Sequence, residues 1–375
     1  MYITILYIVL LIVAIYMFSL LIYIIGNLIS KSNSSLKKNP PVSVIVAVKN
    51  GEKSLPNILC DLENQNYKGL CEFIIVDDQS TDNSKNIIKA LEQKNEKFKY
   101  TSSVNGEDKL FFKKKALDAG IKIASHEILI FTDVDCRLKS AWIESMANCF
   151  NQNIDYVIGY SEILKPYNLV SWFQKIDLFM MMIAGRATCN LNIPFACTGQ
   201  NQAYKKSLYQ KIGFLNIRSI QGDDTLFMQL CLKEKIKIIF NDNTDSFIES
   251  RIETNMLSFI KQRIRWAADA KMMWLYSKKY FLIFLSTFIT NLLLLLTPFI
   301  LIIDKNLMKY ILIIFAIKFI LEFIIYIVGS TKLNIHKNPI MFTCWYIIEI
   351  PYIVFMGIGS FFIKYIGWKG QKTAN

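Results

Sequence analysis

Residues 2–29 are almost entirely apolar and carry no charge. About 20 such residues suffice to cross a bilayer, so the pattern predicts an N-terminal transmembrane helix. The run lacks the basic start, short apolar core and small-residue cleavage site of a signal peptide, which predicts an uncleaved anchor. Lys31, Lys37 and Lys38 follow at once, and the positive-inside rule keeps that flank in the cytoplasm. Residues 30–40 form a polar linker ending in Pro40 and Pro41. The pattern then changes to short β-branched runs at Val42–Val48, Phe73–Val76 and Ile128–Phe131, with helical patterns at Leu55–Gln65 and Asn83–Gln93 between them. Strands alternating with helices predict an α/β domain with a mostly parallel, doubly wound sheet. In such sheets ligands bind beyond the carboxyl ends of the strands.

Residues 168–186 are strongly apolar but interrupted by Lys175 and Asp177, which predicts a buried or interfacial helix in preference to a span. Residues 252–276 read as an amphipathic interfacial helix carrying basic residues and tryptophans. Three long apolar segments follow, at 280–303, 307–329 and 340–366. The third contains Glu349 and Pro351 and reads as a kinked span or a hairpin broken near Pro351. Four full spans would leave Lys364, Lys369 and Lys372 on the outer side, against the positive-inside rule, so the hairpin is preferred.

Of the 375 residues, 53% are hydrophobic and 13% aromatic, above the soluble average. The formal net charge is +13. In a soluble protein that would suggest nucleic acid, but no recognition motif accompanies the charge. In a membrane protein it points instead to anionic headgroups, cytoplasmic anchoring and phosphate-bearing substrates. The eight cysteines contain no CxxC pair, which argues against zinc and for a reduced compartment. Neither histidine, His126 or His336, stands in a suggestive setting, so acid–base work falls to carboxylates.

Four constellations carry chemistry. Thr132-Asp133-Val134-Asp135 ends an apolar strand, and two carboxylates one residue apart on an extended chain point the same way. Such a pair can hold a hard divalent cation and a ribose hydroxyl, although acidic pairs are also common on surface loops. Val76-Asp77-Asp78-Gln79-Ser80-Thr81-Asp82 ends another strand. A turn with Ser80 or Asp82 as helix cap explains its second half but not two adjacent carboxylates at a strand end, where one can accept from a pyrimidine N–H. Gly222-Asp223-Asp224 precedes the apolar helix Thr225–Leu232; one aspartate caps that helix and the other is left to act as a base. Gln262, Arg265 and Trp266 lie three and four residues apart, on one helix face. Arginine clamps phosphate oxygens and tryptophan packs on a sugar ring, while an ordinary basic-aromatic membrane-surface helix is the plainer explanation.

Together and in this order, these motifs resemble the membrane-bound inverting glycosyltransferases of family 2, the group of the cellulose, hyaluronan and ceramide glycosyl synthases. PVSVIVAVKNGE, VDDQSTDNS, KKKALDAG, FTDVDC, TGQNQAYKKSLYQKIGF, QGDD and QRIRW follow in family order over nearly the whole chain. Ala47 stands where a proline is usual and Gly51 where a glutamate is usual. The resemblance implies a Rossmann-like GT-A domain with one N-terminal and about three C-terminal transmembrane helices. It implies an anchor over 1–29, a cytoplasmic catalytic domain over 30–250, an interfacial motif helix over 251–279, a transmembrane region over 280–366 and a tail over 367–375. Residues 31–279 then face the cytoplasm, with the protein in the plasma membrane of a bacterium.

By position, the resemblance places Ala47, Lys49 and Asp78 at the nucleobase, Lys113 near the donor phosphates and Asp133 on the ribose or pyrophosphate side. It places Asp135 on a divalent cation, Mn²⁺ or Mg²⁺, and Asp224 as catalytic base, with Asp223 beside it on the acceptor side. Gln262, Arg265 and Trp266 match the motif that holds pyrophosphate and acceptor. The expected partners are a nucleotide sugar donor, most simply a UDP-sugar, a lipid or membrane-attached glycan acceptor, and the membrane, with no nucleic acid. A processive polysaccharide synthase shares all four motifs. A sugar nucleotidyltransferase lacks support because its Gly-rich, arginine-containing first loop is missing, and a non-enzymatic receptor or transporter has no need of the aspartates.

Overall fold

A computed structural model describes residues 2–30, 39–151, 153–219 and 222–365. The basic flank Lys31, Lys37 and Lys38 and the expected tail 367–375 lie outside the described residues. The chain divides into two compact units, one of Lys31–Leu164 with Cys189–Arg251, the other of Met1–Ser30, Lys165–Thr188 and Ile252–Asn375.

In chain order, α1 (Tyr2–Leu28) is followed by β1 (Val42–Val48), α2 (Leu55–Glu63), β2 (Cys71–Asp77), α3 (Ser84–Lys94), β3 (Phe98–Ser102), α4 (Phe112–Ile123), β4 (Ile128–Asp133) and α5 (Trp142–Ala147). Then come β5 (Tyr156–Ile158), β6 (Ser161–Glu162), α6 (Leu169–Asn190), β7 (Asn201–Lys205), α7 (Lys206–Ile212), α8 (Thr225–Cys231), β8 (Ile238–Phe240) and β9 (Ile248–Glu249). The chain ends with α9 (Met256–Tyr276), α10 (Lys278–Leu295), α11 (Thr297–Ile303), α12 (Met308–Lys332) and α13 (Pro339–Gly359).

The first unit holds a sheet of order β3-β2-β1-β4-β7-β5-β8 among the described residues. β3, β2, β1 and β4 are parallel, as the alternating pattern predicts. Both faces of these strands are covered, so Val42, Val44, Ile45, Val46 and Val48 are all fully buried and read as a continuous apolar run. Gly120 lets α4 lie close to the sheet: a Cβ there would meet Ile45 Cγ2 at 2.8 Å and Val76 Cγ2 at 2.9 Å. The departure from the expected sheet is β7, which runs antiparallel between β4 and β5. Asn201 pairs with Thr132, so β7 starts where β4 ends, and the turn before it comes to the carboxyl edge of the parallel strands. Strand order reverses between β1 and β4, where crevices form in open α/β sheets.

The second unit is helical. Leu6–Leu28, Lys278–Leu295, Lys305–Lys332 and Pro339–Phe362 are the four segments, among the described residues, long and apolar enough to cross a membrane. The segment 168–186 forms α6 and is not among them, in keeping with a buried or interfacial helix. One expectation is refined and one is corrected. The stretch 280–303 is two helices, α10 and α11, because Pro298 lacks the N–H that would continue α10 and instead starts α11. The preferred hairpin at 340–366 is absent: α13 runs through Pro351 without a break. One missing N–H removes a single helical bond, which a long apolar helix packed on neighbours tolerates. The end of α13 rests on α9, where Lys271 Nζ donates to the Ser360 carbonyl at 3.2 Å and a Cβ on Gly359 would meet Ile264 Cδ1 at 2.8 Å.

Several polar side chains inside this bundle are paired with one another, as a medium without water favours. Lys318 contacts Glu322 at 3.0 Å and Glu349 at 2.7 Å, and the Tyr16 hydroxyl donates to Glu322, tying α1, α12 and α13 together. Asn27 Nδ2 donates to the Ile183 carbonyl at 3.0 Å, and Arg186 Nη1 donates to the Asn27 carbonyl at 3.1 Å. Gly26 makes this approach of α1 to α6 possible, since a Cβ would lie 2.7 Å from the Ala187 carbonyl carbon. Gly26→Ala should therefore lower the thermal midpoint of the detergent-solubilised chain by several degrees, overpacking of this kind costing about 1–3 kcal/mol. An unchanged midpoint would show that α1 is not seated on α6.

Candidate active site

The carboxyl ends of β1, β2 and β4 lie side by side, with Ala47 opposite both Val76 and Asp133 and Val48 opposite Asp77. Loops leaving these strands are fixed to one another by the polar residues of the second motif. Asn50 N donates to Ser80 Oγ at 2.9 Å, Gly51 N to Ser84 Oγ at 2.9 Å and Glu52 N to Asp82 Oδ2 at 3.0 Å. Gly51 is needed because a Cβ would sit 2.8 Å from Val48 Cγ1. The two adjacent aspartates divide their work. Asp77 Oδ1 accepts from Ser80 N at 3.1 Å and shapes the turn. Asp78 N donates to the Val48 carbonyl at 2.7 Å, and Lys49 Nζ lies 2.8 Å from the Asp78 carbonyl oxygen and 3.9 Å from its carboxylate. Ala47, Lys49 and Asp78 thus meet at one point of the edge.

The second cluster joins three motifs far apart in sequence. Lys113, in the first turn of α4, places Nζ 2.8 Å from Asp133 Oδ1 and 3.2 Å from Asp223 Oδ2. Asp224 caps α8, its Oδ1 accepting from Thr225 N while Oδ2 accepts from Gly199 N at 3.1 Å. The residue matched to the base is therefore also the cap, and Asp223 is the one held by a lysine. Capping does not exhaust a carboxylate, which offers about four lone-pair sites. Asp135 does not extend the strand as expected: Cys136 N donates back to the Asp133 carbonyl at 3.2 Å, closing a turn after β4. Turn and strand end still keep the Asp135 charge close enough to act on Asp133.

Several negative charges share one ammonium here, and the ionisation states follow. Burial pulls the Lys113 ammonium down, but Asp133 and Asp223 more than offset it, so the lysine is held above its ordinary value. Burial pushes the Asp133 carboxyl up, with Asp135 and Asp223 adding to the shift and Lys113 opposing it. Burial also raises the Cys136 and Cys197 thiols, so neither offers a thiolate at neutral pH. Among the described residues no group of three or more His, Cys, Asp or Glu side chains can hold a metal ion alone. Asp133 and Asp135 do fit the other mode, in which Mg²⁺ or Mn²⁺ takes one or two carboxylates and completes its shell with substrate phosphates and water.

Gly199 stands in a quoted motif, but motif reading gave it no role. A Cβ on it would lie 3.0 Å from Asp223 Oδ2, 3.1 Å from Lys113 Nζ and 3.5 Å from Asp224 Oδ2, so bare backbone covers the cluster. The signal in the sequence was a glycine just before a strand, where close backbone approach is common. Gln262, Arg265 and Trp266 belong to the helical unit, on α9, and are half-buried. Gln262 Nε2 lies 3.4 Å from Glu253 Oε1, and burial pulls the Arg265 guanidinium down against Glu253 and Asp269.

Residues 43–213 match the family described as Glycosyl transferase family 2, and residues 129–355 match Glycosyl transferase family group 2. The GalNAc(5)-diNAcBac-PP-undecaprenol beta-1,3-glucosyltransferase of Campylobacter jejuni is 30% identical over 134 residues, 36% of this chain and 42% of that protein. Glycosyltransferase GlyG of Streptococcus pneumoniae is 24% identical over 220 residues, 54% of this chain and 68% of that protein. The 4,4'-diaponeurosporenoate glycosyltransferase of Staphylococcus haemolyticus is 30% identical over 135 residues, 35% of each chain. The match thus spans less than half the length of the first and third of these relatives. Among solved structures, the mannosyltransferase PcManGT of Pyrobaculum calidifontis, in complex with GDP-Man and Mn²⁺, shares the fold at a TM-score of 0.56 and 16% identity, over 88% of this chain and 99% of that one.

Lys113→Met tests the charge balance of the cluster. With Asp133 and Asp223 left without a counter-charge, Mn²⁺ should bind the nucleotide-free protein more tightly, by roughly tenfold, the effect of about 1.4 kcal/mol of relieved repulsion. Calorimetric titration showing unchanged or weaker Mn²⁺ binding would mean that the ion does not meet these carboxylates.

Proposed function

The chain belongs to glycosyltransferase family 2, and on that premise we propose that it transfers a sugar, with inversion, from a UDP-sugar to a lipid or membrane-associated glycan. The observation that carries the reading is the second cluster: Lys113, Asp133, Asp223 and Asp224 brought under the backbone of Gly199 at the carboxyl edge of the sheet. A lone Asp-x-Asp is common; one facing a second acidic pair across a single lysine is suited to a leaving group that gains charge. The Campylobacter relative is named for glucosyl transfer to a lipid diphosphate-linked glycan, which supports a lipid-linked acceptor.

In this reading the acceptor hydroxyl attacks the anomeric carbon from the face opposite the diphosphate. The new carbon–oxygen bond forms as the bond to the nucleoside diphosphate breaks. The hydroxyl proton passes to a carboxylate oxygen of Asp224, whose orientation is set by the Thr225 and Gly199 amides. The sugar passes through an oxocarbenium-like state. Ala47, Lys49 and Asp78 hold the nucleobase, and Lys113 turns from Asp133 and Asp223 toward the donor phosphates. A divalent cation on Asp133 and Asp135 would supply positive charge to the departing diphosphate. Gln262, Arg265 and Trp266 serve pyrophosphate and acceptor.

Assay of the purified chain with a panel of UDP-sugars and a membrane lipid extract tests this directly, and no transfer from any of them would overturn it. Asp224→Asn should cut transfer by about 10²–10⁴-fold, the usual scale of general-base catalysis, while UDP still binds. A dead Asp223→Asn beside a normal Asp224→Asn, both binding UDP, would move the base to the neighbouring residue.

The catalytic unit is proposed to face the cytoplasm, where nucleotide sugars are found. Cys60 is exposed on that unit and reports its side. A membrane-impermeant maleimide applied to intact cells should leave Cys60 unlabelled and label it after lysis; labelling from outside would reverse the topology.

A further inference from the structure

Arg263 lies inside the basic-aromatic motif but is no part of the Gln262, Arg265 and Trp266 set. It is 4% exposed, whereas those three are half-buried. A buried guanidinium is costly unless paired and hydrogen-bonded. Its Nη2 lies 3.3 Å from Asp177 Oδ2, while Nε and Nη1 have no hydrogen-bond partner. For packing alone a leucine or methionine would fill the space at lower cost. What a guanidinium provides instead is a flat, charged face. Arg263 Cζ stands 4.0 Å from the centroid of the Trp266 ring and 5.1 Å from that of Phe259, one turn away on either side.

The guanidinium is itself held from two other helices of the same unit. Asp177 belongs to α6, and Tyr352 of α13 donates its hydroxyl to Asp177 Oδ2 at 3.3 Å. Phe173 of α6 packs edge-on to both Phe259 and Tyr352, with centroids 6.0 and 4.9 Å apart. One turn before Asp177 on α6, Gln174 exchanges hydrogen bonds with the Glu253 backbone, 2.9 Å to its carbonyl and 3.0 Å from its amide. Glu253 is the residue that Gln262 contacts. Two residues of α6, three apart, therefore hold the residues that contact Gln262 and Trp266: Gln174 bonds Glu253, and Asp177 pairs with Arg263.

We propose that Arg263 and Asp177 are positioning residues: Arg263 fixes the plane of the Trp266 indole, and Asp177 with Tyr352 fixes Arg263. The proposal rests on the reading that Trp266 meets the acceptor. Lysine in place of Arg263 keeps the charge but loses the plane that stacks on the indole. Asparagine in place of Asp177 keeps the shape but loses the charge that aligns the guanidinium.

The test uses the full-length protein in detergent, the UDP-sugar that gives turnover, and graded amounts of membrane lipid extract as acceptor. Arg263→Lys and Asp177→Asn should each raise the apparent KM for the extract roughly tenfold while leaving the donor KM unchanged. In a Trp266→Ala background, Arg263→Lys should add no more than about twofold, because the group it positions is gone. Full additivity in the double variant, or an equal rise in the donor KM, would overturn the proposal. Asp177→Asn serves as the second variant if Arg263→Lys does not fold, and a normal KM for the extract there would overturn the proposal equally. If Trp266→Ala leaves that KM unchanged, the reading of Trp266 fails, and the inference with it.

Discussion

Like charges gathered at one edge of a sheet repel unless something positive stands between them. In this protein that constraint falls on Lys113. Its ammonium lies between Asp133, at the end of β4, and Asp223, before α8, with Asp224 and Asp135 close enough to act on the same ionisations. The parallel strands supply the geometry, since β1, β2 and β4 all end at the same level. The antiparallel β7 completes it, because its reversed direction is what brings Gly199 over the cluster. The lysine supplies the counter-charge that lets these carboxylates share one edge.

The helical unit meets the same constraint in a harsher medium. With no water to solvate them, Lys318, Glu322, Glu349 and Tyr16 satisfy one another across three helices. The pairing of Asp177 with Arg263 extends that logic to the motif helix, at the cost of two guanidinium nitrogens with no hydrogen-bond partner. The polar groups in this bundle therefore tie apolar helices together, and Asp177, Tyr352 and Arg263 link α6 and α13 to α9.

Much of the site was legible because each motif sits next to a local structural event. Asp77–Asp78 and Asp133 end strands, and an apolar β-branched run ending in carboxylates can be read directly. Asp224 precedes an apolar helix, so a cap was expected, but which aspartate would cap could not be read from two adjacent residues. Asp135 shows the limit: spacing along an extended chain placed it beside Asp133, whereas the Cys136 amide closes a turn there. Gly199 carried almost no signal, because its importance lies in what is absent from its side chain.

By itself the sequence determined the elements and their chemistry: the apolar helices, the run of parallel strands, the order of motifs and the family they belong to. These are local properties, set by periodicity and residue type over ten or twenty positions. Only the tertiary structure decided that β7 is antiparallel, that α13 passes Pro351 unbroken, that α6 groups with the membrane helices, and that Lys113 faces Asp223 across 110 residues of chain. Each of those outcomes depends on which surfaces meet in space. A charge pair or a close backbone approach between distant segments leaves no periodic trace along the chain.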